Sequence, residues 1–124
     1  MRILVLDDHD AFRDEVVSIL SRHGHEAHGV GAAATAIPMV ESGAYDFVFV
    51  DYDMPEHDGL WFMQNVKRPR GTKALLITAH VNQQIINRMF QSGVSGYIIK
   101  PFEEQDLLRN LAFHAETGRS WLHD

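Results

Sequence analysis

Along the chain, five short apolar runs rich in branched residues alternate with longer segments in which apolar side chains recur at helical spacing. The runs are Ile3–Leu6, Glu26–Val30, Phe47–Val50, Ala74–Thr78 and Gly96–Ile99, the second of them polar on one side. Strands this short and this apolar, each followed by a helical segment, predict an α/β fold: a parallel sheet covered by helices on both faces.

The helical segments carry their own signals. Phe12, Val16, Val17, Ile19 and Leu20 share one face of the first helix, and Gly24 provides its stop. The second, about residues 32–42, is Ala-rich with Ile37, Met39 and Val40 apolar, and Pro38 is expected to kink it or to sit in its first turns. The third spans about residues 59–67, the fourth 83–91 before Ser92-Gly93, and the fifth 103–116, ending near Gly118. The fifth has a stripe of Leu107, Leu108, Leu111 and Ala112, with Glu103, Glu104 and Asp106 favouring the positive end of its dipole.

A length of 124 residues fits one domain with an adequate core, with residues 1–118 as the folded unit and 119–124 as a tail or the start of a linker. Hydrophobic residues at 45% and charged residues at 23% exclude a disordered or fibrous chain. There is no cysteine, which removes disulfides and thiolate-bound zinc and is in keeping with a cytoplasmic location. The opening apolar run ends at Asp7, too early for a signal peptide. No apolar segment approaches the roughly 20 residues of a membrane span. The net charge of −6, from 17 acidic and 11 basic residues, argues against direct nucleic-acid binding. The one basic run, Lys67, Arg68 and Arg70, reads as a solvated helix end.

In an open α/β sheet ligands bind beyond the carboxyl ends of the strands. Strand one runs into Asp7-Asp8, strand three into Asp51, strand four ends in Thr78, and strand five runs into Lys100-Pro101. Three carboxylates converging on one edge repel one another and call for a cation. Mg²⁺, or Mn²⁺ in its place, suits oxygen ligands shared with a phosphate. Lys100 and Thr78 add an ammonium and a hydroxyl donor for phosphoryl oxygens. An aspartate so placed can be the nucleophile in phosphoryl transfer, and Asp51, presented by an apolar strand, is the candidate.

The ordered set Asp7-Asp8, Val50-Asp51-Tyr52-Asp53-Met54-Pro55 with Asp58-Gly59, Thr78-Ala79 and Lys100-Pro101-Phe102 resembles the signature of response regulator receiver domains, the CheY-like superfamily of two-component signal transduction, over nearly the whole chain. The resemblance implies a flavodoxin-like, doubly wound, five-stranded parallel sheet in the order 2-1-3-4-5 with five helices on two faces. It implies a metal held by Asp8, Asp51 and the backbone carbonyl of Asp53, with Asp7 orienting it or acting through water. Asp51 would accept a phosphoryl group from a histidine kinase or a histidine phosphotransfer protein. Thr78, the backbone of Ala79 and Lys100 would grip the phosphoryl oxygens, Lys100–Pro101 would be cis, and Tyr97 would follow Thr78. Asp53 and His80 are candidate modulators of dephosphorylation. Such a domain assists its own phosphorylation and dephosphorylation without being a turnover enzyme, and its output face would combine helix four, strand five and helix five. The downstream partner or output domain, and a phosphorylation-linked homodimer, stay open.

The same residues admit other readings. Helix capping is the ordinary use of Asp7 and Asp8. A haloacid-dehalogenase-like phosphatase would carry its Asp-x-Asp after the first strand, not at Asp51-Tyr52-Asp53. A phosphorylation-independent pseudo-receiver would be expected to lack the acceptor, the acid pair or the lysine, and all are present. His23, His25 and His28 show no helical ligand spacing, while His9 and His57 join His80 beside the proposed pocket. Trp61, Phe62, Met63, Met89 and Phe90 read as packing, and no flavin-phosphate loop follows strand one.

Overall fold

In the computed structural model, which describes residues 1–79 and 82–117, each apolar run forms a strand and each helical segment a helix. The elements are β1 (Arg2–Leu6), α1 (Asp10–Arg22), β2 (Glu26–Val30), α2 (Ala33–Glu41), β3 (Phe47–Asp51), α3 (Gly59–Asn65), β4 (Lys73–Thr78), α4 (Gln83–Ser92), β5 (Gly96–Ile99) and α5 (Glu104–Thr117). All pairings are parallel, in the order β2-β1-β3-β4-β5, as the resemblance implies.

Strand periodicity divides the core in two. Leu4, Leu6, Val48, Val50, Ala74 and Leu76 face one way, onto Ala36 and Val40 of α2, Leu60 and Phe62 of α3 and Met89 of α4. Ile3, Val5, Phe47, Phe49, Leu75, Ile77 and Ile98 face the other, onto Val16, Ile19 and Leu20 of α1 and Leu107 and Leu111 of α5. β3 is buried along its whole length, which explains its unbroken apolar run.

The helix ends show how local chemistry sets the boundaries. The cap of α1 is neither Asp7 nor Asp8 but His9, whose Nδ1 accepts from the Phe12 N–H at 3.2 Å. Asp58 caps α3 by accepting from the Trp61 N–H at 2.8 Å, and Asn82 does the same for α4. Gly93, at φ 116°, ends α4 in the left-handed conformation. Pro38 lies inside α2 beyond its first turn, and its carbonyl still accepts from Ser42 at 3.1 Å. α3 stops at Asn65, two residues short of the reading from periodicity.

Within the basic run, Arg68 has a structural role. Half-buried Arg68 donates to the carbonyls of Thr72 and Gly93, at 2.5 and 3.1 Å, tying the α3–β4 connection to the end of α4.

Candidate functional site

The sheet register brings the polar residues together. Leu6 pairs with Val50, so the residues that follow them, Asp7 and Asp51, emerge side by side from adjacent central strands. The strand alternation that sends Val5, Phe49 and Ile98 to the α1/α5 face sends Asp7, Asp51 and Lys100 the same way. Thr78 belongs to the opposite alternation and is fully buried at the end of β4. The Lys100 N–H donates to the Thr78 carbonyl at 2.8 Å, and the Lys100–Pro101 peptide is cis.

Asp7, Asp8 and Asp51 each place a carboxylate oxygen within 4.8 Å of the others. Asp7 and Asp51 are buried and Asp8 is exposed. Both oxygens of Asp7 are engaged by the protein: Oδ1 accepts from the His9 N–H at 2.9 Å, and Oδ2 from Lys100 Nζ at 2.7 Å. Lys100 Nζ also stands 3.6 Å from Asp51 Oδ1. Burial pushes the Asp51 carboxyl up to about 6, and the Asp7 carboxylate adds to the rise. Lys100 opposes it, Asp8 reinforces it, and the Asp53 N–H, which donates to the carboxylate, opposes it again. One lysine thus offsets only part of the charge of three acids. The donor set fits a hard divalent cation, whose charge and oxygen preference match it.

A cavity of about 390 Å³ opens over these groups, lined by Asp8, His9, Phe12, Asp51, Asp53, Ala79 and Lys100. Two supporting features escaped the reading of the sequence. A Cβ at Gly59 would stand 2.5 Å from the Asp51 carbonyl oxygen and 3.0 Å from Tyr52 Cα, so this glycine lets the start of α3 pack against the strand end that presents Asp51. Its N–H donates to the Tyr52 carbonyl at 2.8 Å. Phe12 sets its ring beneath Lys100, whose Nζ is 4.1 Å from the ring centroid. Helical periodicity shows only that Phe12 belongs to an apolar face, whereas a glycine at a helix start reads equally as a turn.

The remaining candidates separate. Tyr97 lies on β5 away from the acids, 41% exposed, with its ring edge-to-face on Phe90 at 6.0 Å. His57 stacks on Trp61 at 3.6 Å and does not line the cavity, while His9 does. His80 lies outside the described residues, as does the 119–124 segment. The histidines near β2 disperse: His23 pairs with Glu104, His25 meets the Met1 amino group, and His28 meets the Tyr45 hydroxyl.

Known proteins resemble this chain in sequence and in fold. The family model of the response regulator receiver domain matches residues 3–112. The chain is 34% identical over 115 residues to the chemotaxis protein CheY-3 of Vibrio cholerae, covering 90% of this chain and 88% of that protein. It is 32% identical over 111 residues to the chemotaxis protein CheY of Pseudomonas aeruginosa, covering 86% and 90%. The crystal structure of a two-component response regulator from Clostridium difficile superposes with a TM-score of 0.88 at 20% identity, over 97% of this chain and 99% of that one, a likeness of fold. The chain therefore belongs to the response regulator receiver domain family, whose members act in phosphorylation-based signalling and are not classical enzymes.

Proposed function

We propose that this chain is a Mg²⁺-dependent signalling switch that accepts a phosphoryl group on Asp51 from a histidine kinase or histidine phosphotransfer protein. The observation that carries the reading is the position of the Lys100 ammonium against both Asp7 and Asp51 at the mouth of an acid-lined cavity. Residues 1–118 are the receiver unit, in a cytoplasmic setting.

Asp8, Asp51 and the backbone carbonyl of Asp53 are the residues that would hold the cation, with Asp7 orienting the site. When bound, the divalent ion supplies charge neutralisation for the transferring group. Mn²⁺ is an alternative occupant. An Asp51 oxygen forms the new P–O bond as the donor's bond to phosphorus breaks and its electron pair leaves with the donor. Lys100, Thr78 and the Ala79 N–H donate to the phosphoryl oxygens, while β3 and Gly59 hold the nucleophile rigid. Asp53 and His80 tune the return reaction with water.

Phosphorylation adds roughly two negative charges. These draw Lys100 and Thr78 towards Asp51, Tyr97 follows Thr78, and the α4–β5–α5 face changes. Phe90, Tyr97 and Phe113 are exposed there, at 42%, 41% and 51%. A partner that prefers one arrangement shifts the equilibrium and reciprocally favours phosphorylation.

The test is incubation with acetyl phosphate and Mg²⁺, followed by intact mass, beside Asp51→Ala and a chelated control. One phosphoryl adduct that needs Mg²⁺ and Asp51 is expected. No adduct, with a phosphorylated kinase also failing as donor, would replace the switch with a phosphorylation-independent interaction module.

A further inference from the structure

We infer that Phe12 is a positioning residue for phosphoryl acceptance, its ring face holding the Lys100 ammonium between Asp7 and Asp51; the inference rests on the receiver reading of the site.

Three contacts define where that ammonium sits. Asp7 Oδ2 is at 2.7 Å, Asp51 Oδ1 at 3.6 Å, and the centroid of the Phe12 ring at 4.1 Å. A cation within about 6 Å of an aromatic face is attracted to its π electrons, and more strongly where water is excluded. Only 18% of the Lys100 side chain is exposed. Lysine is a point charge on a flexible four-carbon stem, so the two carboxylates alone leave it free to settle on the nearer one or to swing into the cavity. The Phe12 ring closes that third side.

The ring is itself held. Phe12 lies in the first turn of α1, and its ring meets that of Phe102 edge-to-face, with centroids 5.6 Å apart and planes at 84°. Phe102 stands between Pro101 and α5. Lys100, Phe12 and Phe102 therefore form one line of contacts joining the start of α1 to the segment that leads into α5. As the P–O bond to Asp51 forms and the donor's bond breaks, the ammonium must move from Asp7 towards new phosphoryl oxygens. A π face permits that sliding, because its attraction is broad where a hydrogen bond is directional.

A ring acting as a passive wall depends on its shape; a ring that holds a cation depends on its electrons. Mono-, di- and trifluorophenylalanine at position 12 withdraw ring electrons stepwise with little change of shape. The rate of Asp51 modification by acetyl phosphate should fall steadily across the series, by about five- to tenfold in all, while the urea unfolding midpoint holds constant. Phe12→Tyr, which keeps the face, should stay near the parent rate, and Phe12→Leu should fall at least as far as the trifluoro protein. NMR of the Lys100 ε-methylene protons reports the contact without phosphorylation: shifted upfield by the ring in the parent, and not in Phe12→Leu. A flat rate series, or unshifted ε-methylene protons in the parent, overturns the inference. An upfield shift in a parent that takes no phosphoryl group from any donor overturns the receiver reading instead, and the positioning role with it.

Discussion

Lys100 and Asp7 form a close ion pair in the site: Nζ to Oδ2 is 2.7 Å, against a carboxylate that is only 2% exposed. The proposed acceptor, Asp51, stands farther from the same ammonium, at 3.6 Å. Under the proposed switch, Asp7 would hold the lysine in reserve, and Asp51 would keep uncompensated charge for the cation that precedes phosphoryl transfer. The two pairings exploit one lysine in two settings, which makes them separable by substitution.

Lys100→Met should destabilise the metal-free protein by about 3 kcal/mol at neutral pH, because it leaves a buried carboxylate unpaired. It should also slow phosphoryl acceptance at least about 100-fold, since a donor to the transferring group is lost. Asp7→Asn on the Lys100→Met background should recover most of the stability and none of the acceptance. Urea unfolding with chelator and intact-mass kinetics read the two effects separately, and additive stability losses would show that the pair is not coupled.

Asp51 makes the metal-free protein sensitive to pH. Its carboxyl rises from 3.8 to about 6 on folding, chiefly through burial. The native state therefore binds a proton more readily than the unfolded chain. The sign follows: this stabilisation is full below about 4 and is lost as pH rises through about 6. At pH 7 the charged group costs about 3 kcal/mol, so Asp51→Asn should raise stability by up to that amount and flatten the pH profile between 4 and 6. A variant no more stable than the parent at pH 7 in chelator would contradict this account.

Gly59→Ala tests the packing beneath the acceptor. The added methyl would meet the Asp51 carbonyl oxygen at 2.5 Å and Tyr52 Cα at 3.0 Å, both backbone, so α3 or the end of β3 must move. A loss of about 2 kcal/mol is expected, with slower modification of Asp51 as its carboxylate shifts. Equal stability and rate would mean that the α3 start yields without disturbing the strand.

Much of this was legible in the sequence, for identifiable reasons. Branched apolar runs mark buried parallel strands well, so the residues after them, Asp7, Asp8, Asp51 and Lys100, could be assigned to one edge of the sheet. Alternation, which decides that Asp7, Asp51 and Lys100 share the α1/α5 face, needs the register that only the pairing of Leu6 with Val50 supplies. Capping was harder to read: Asp7 and Asp8 are stronger formal candidates than His9, yet the Asp7 carboxylate turns to Lys100 and to the His9 N–H. Phe12 and Gly59 were hidden because their contacts, a lysine 88 positions along the chain (from 12 to 100) and a strand-end carbonyl, are tertiary.

Mg²⁺ should act as a folding ligand as well as a cofactor. The donor set is assembled only when β1 and β3 pair, so an unfolded chain offers no comparable site, and binding must stabilise the native state. At a concentration of about 100 times its Kd, the ion should add about 2.7 kcal/mol. By countering the repulsion among Asp7, Asp8 and Asp51, it should also lower the Asp51 carboxyl from about 6 and erase the pH dependence seen in chelator. Asp8→Asn and Asp51→Asn should each lose most of the Mg²⁺ effect, whereas Lys100→Met should retain it, because removing a positive neighbour strengthens cation binding. Thermal unfolding of the four proteins with and without Mg²⁺ measures this directly. A Mg²⁺ increment that survives Asp8→Asn and Asp51→Asn undiminished would place the ion elsewhere.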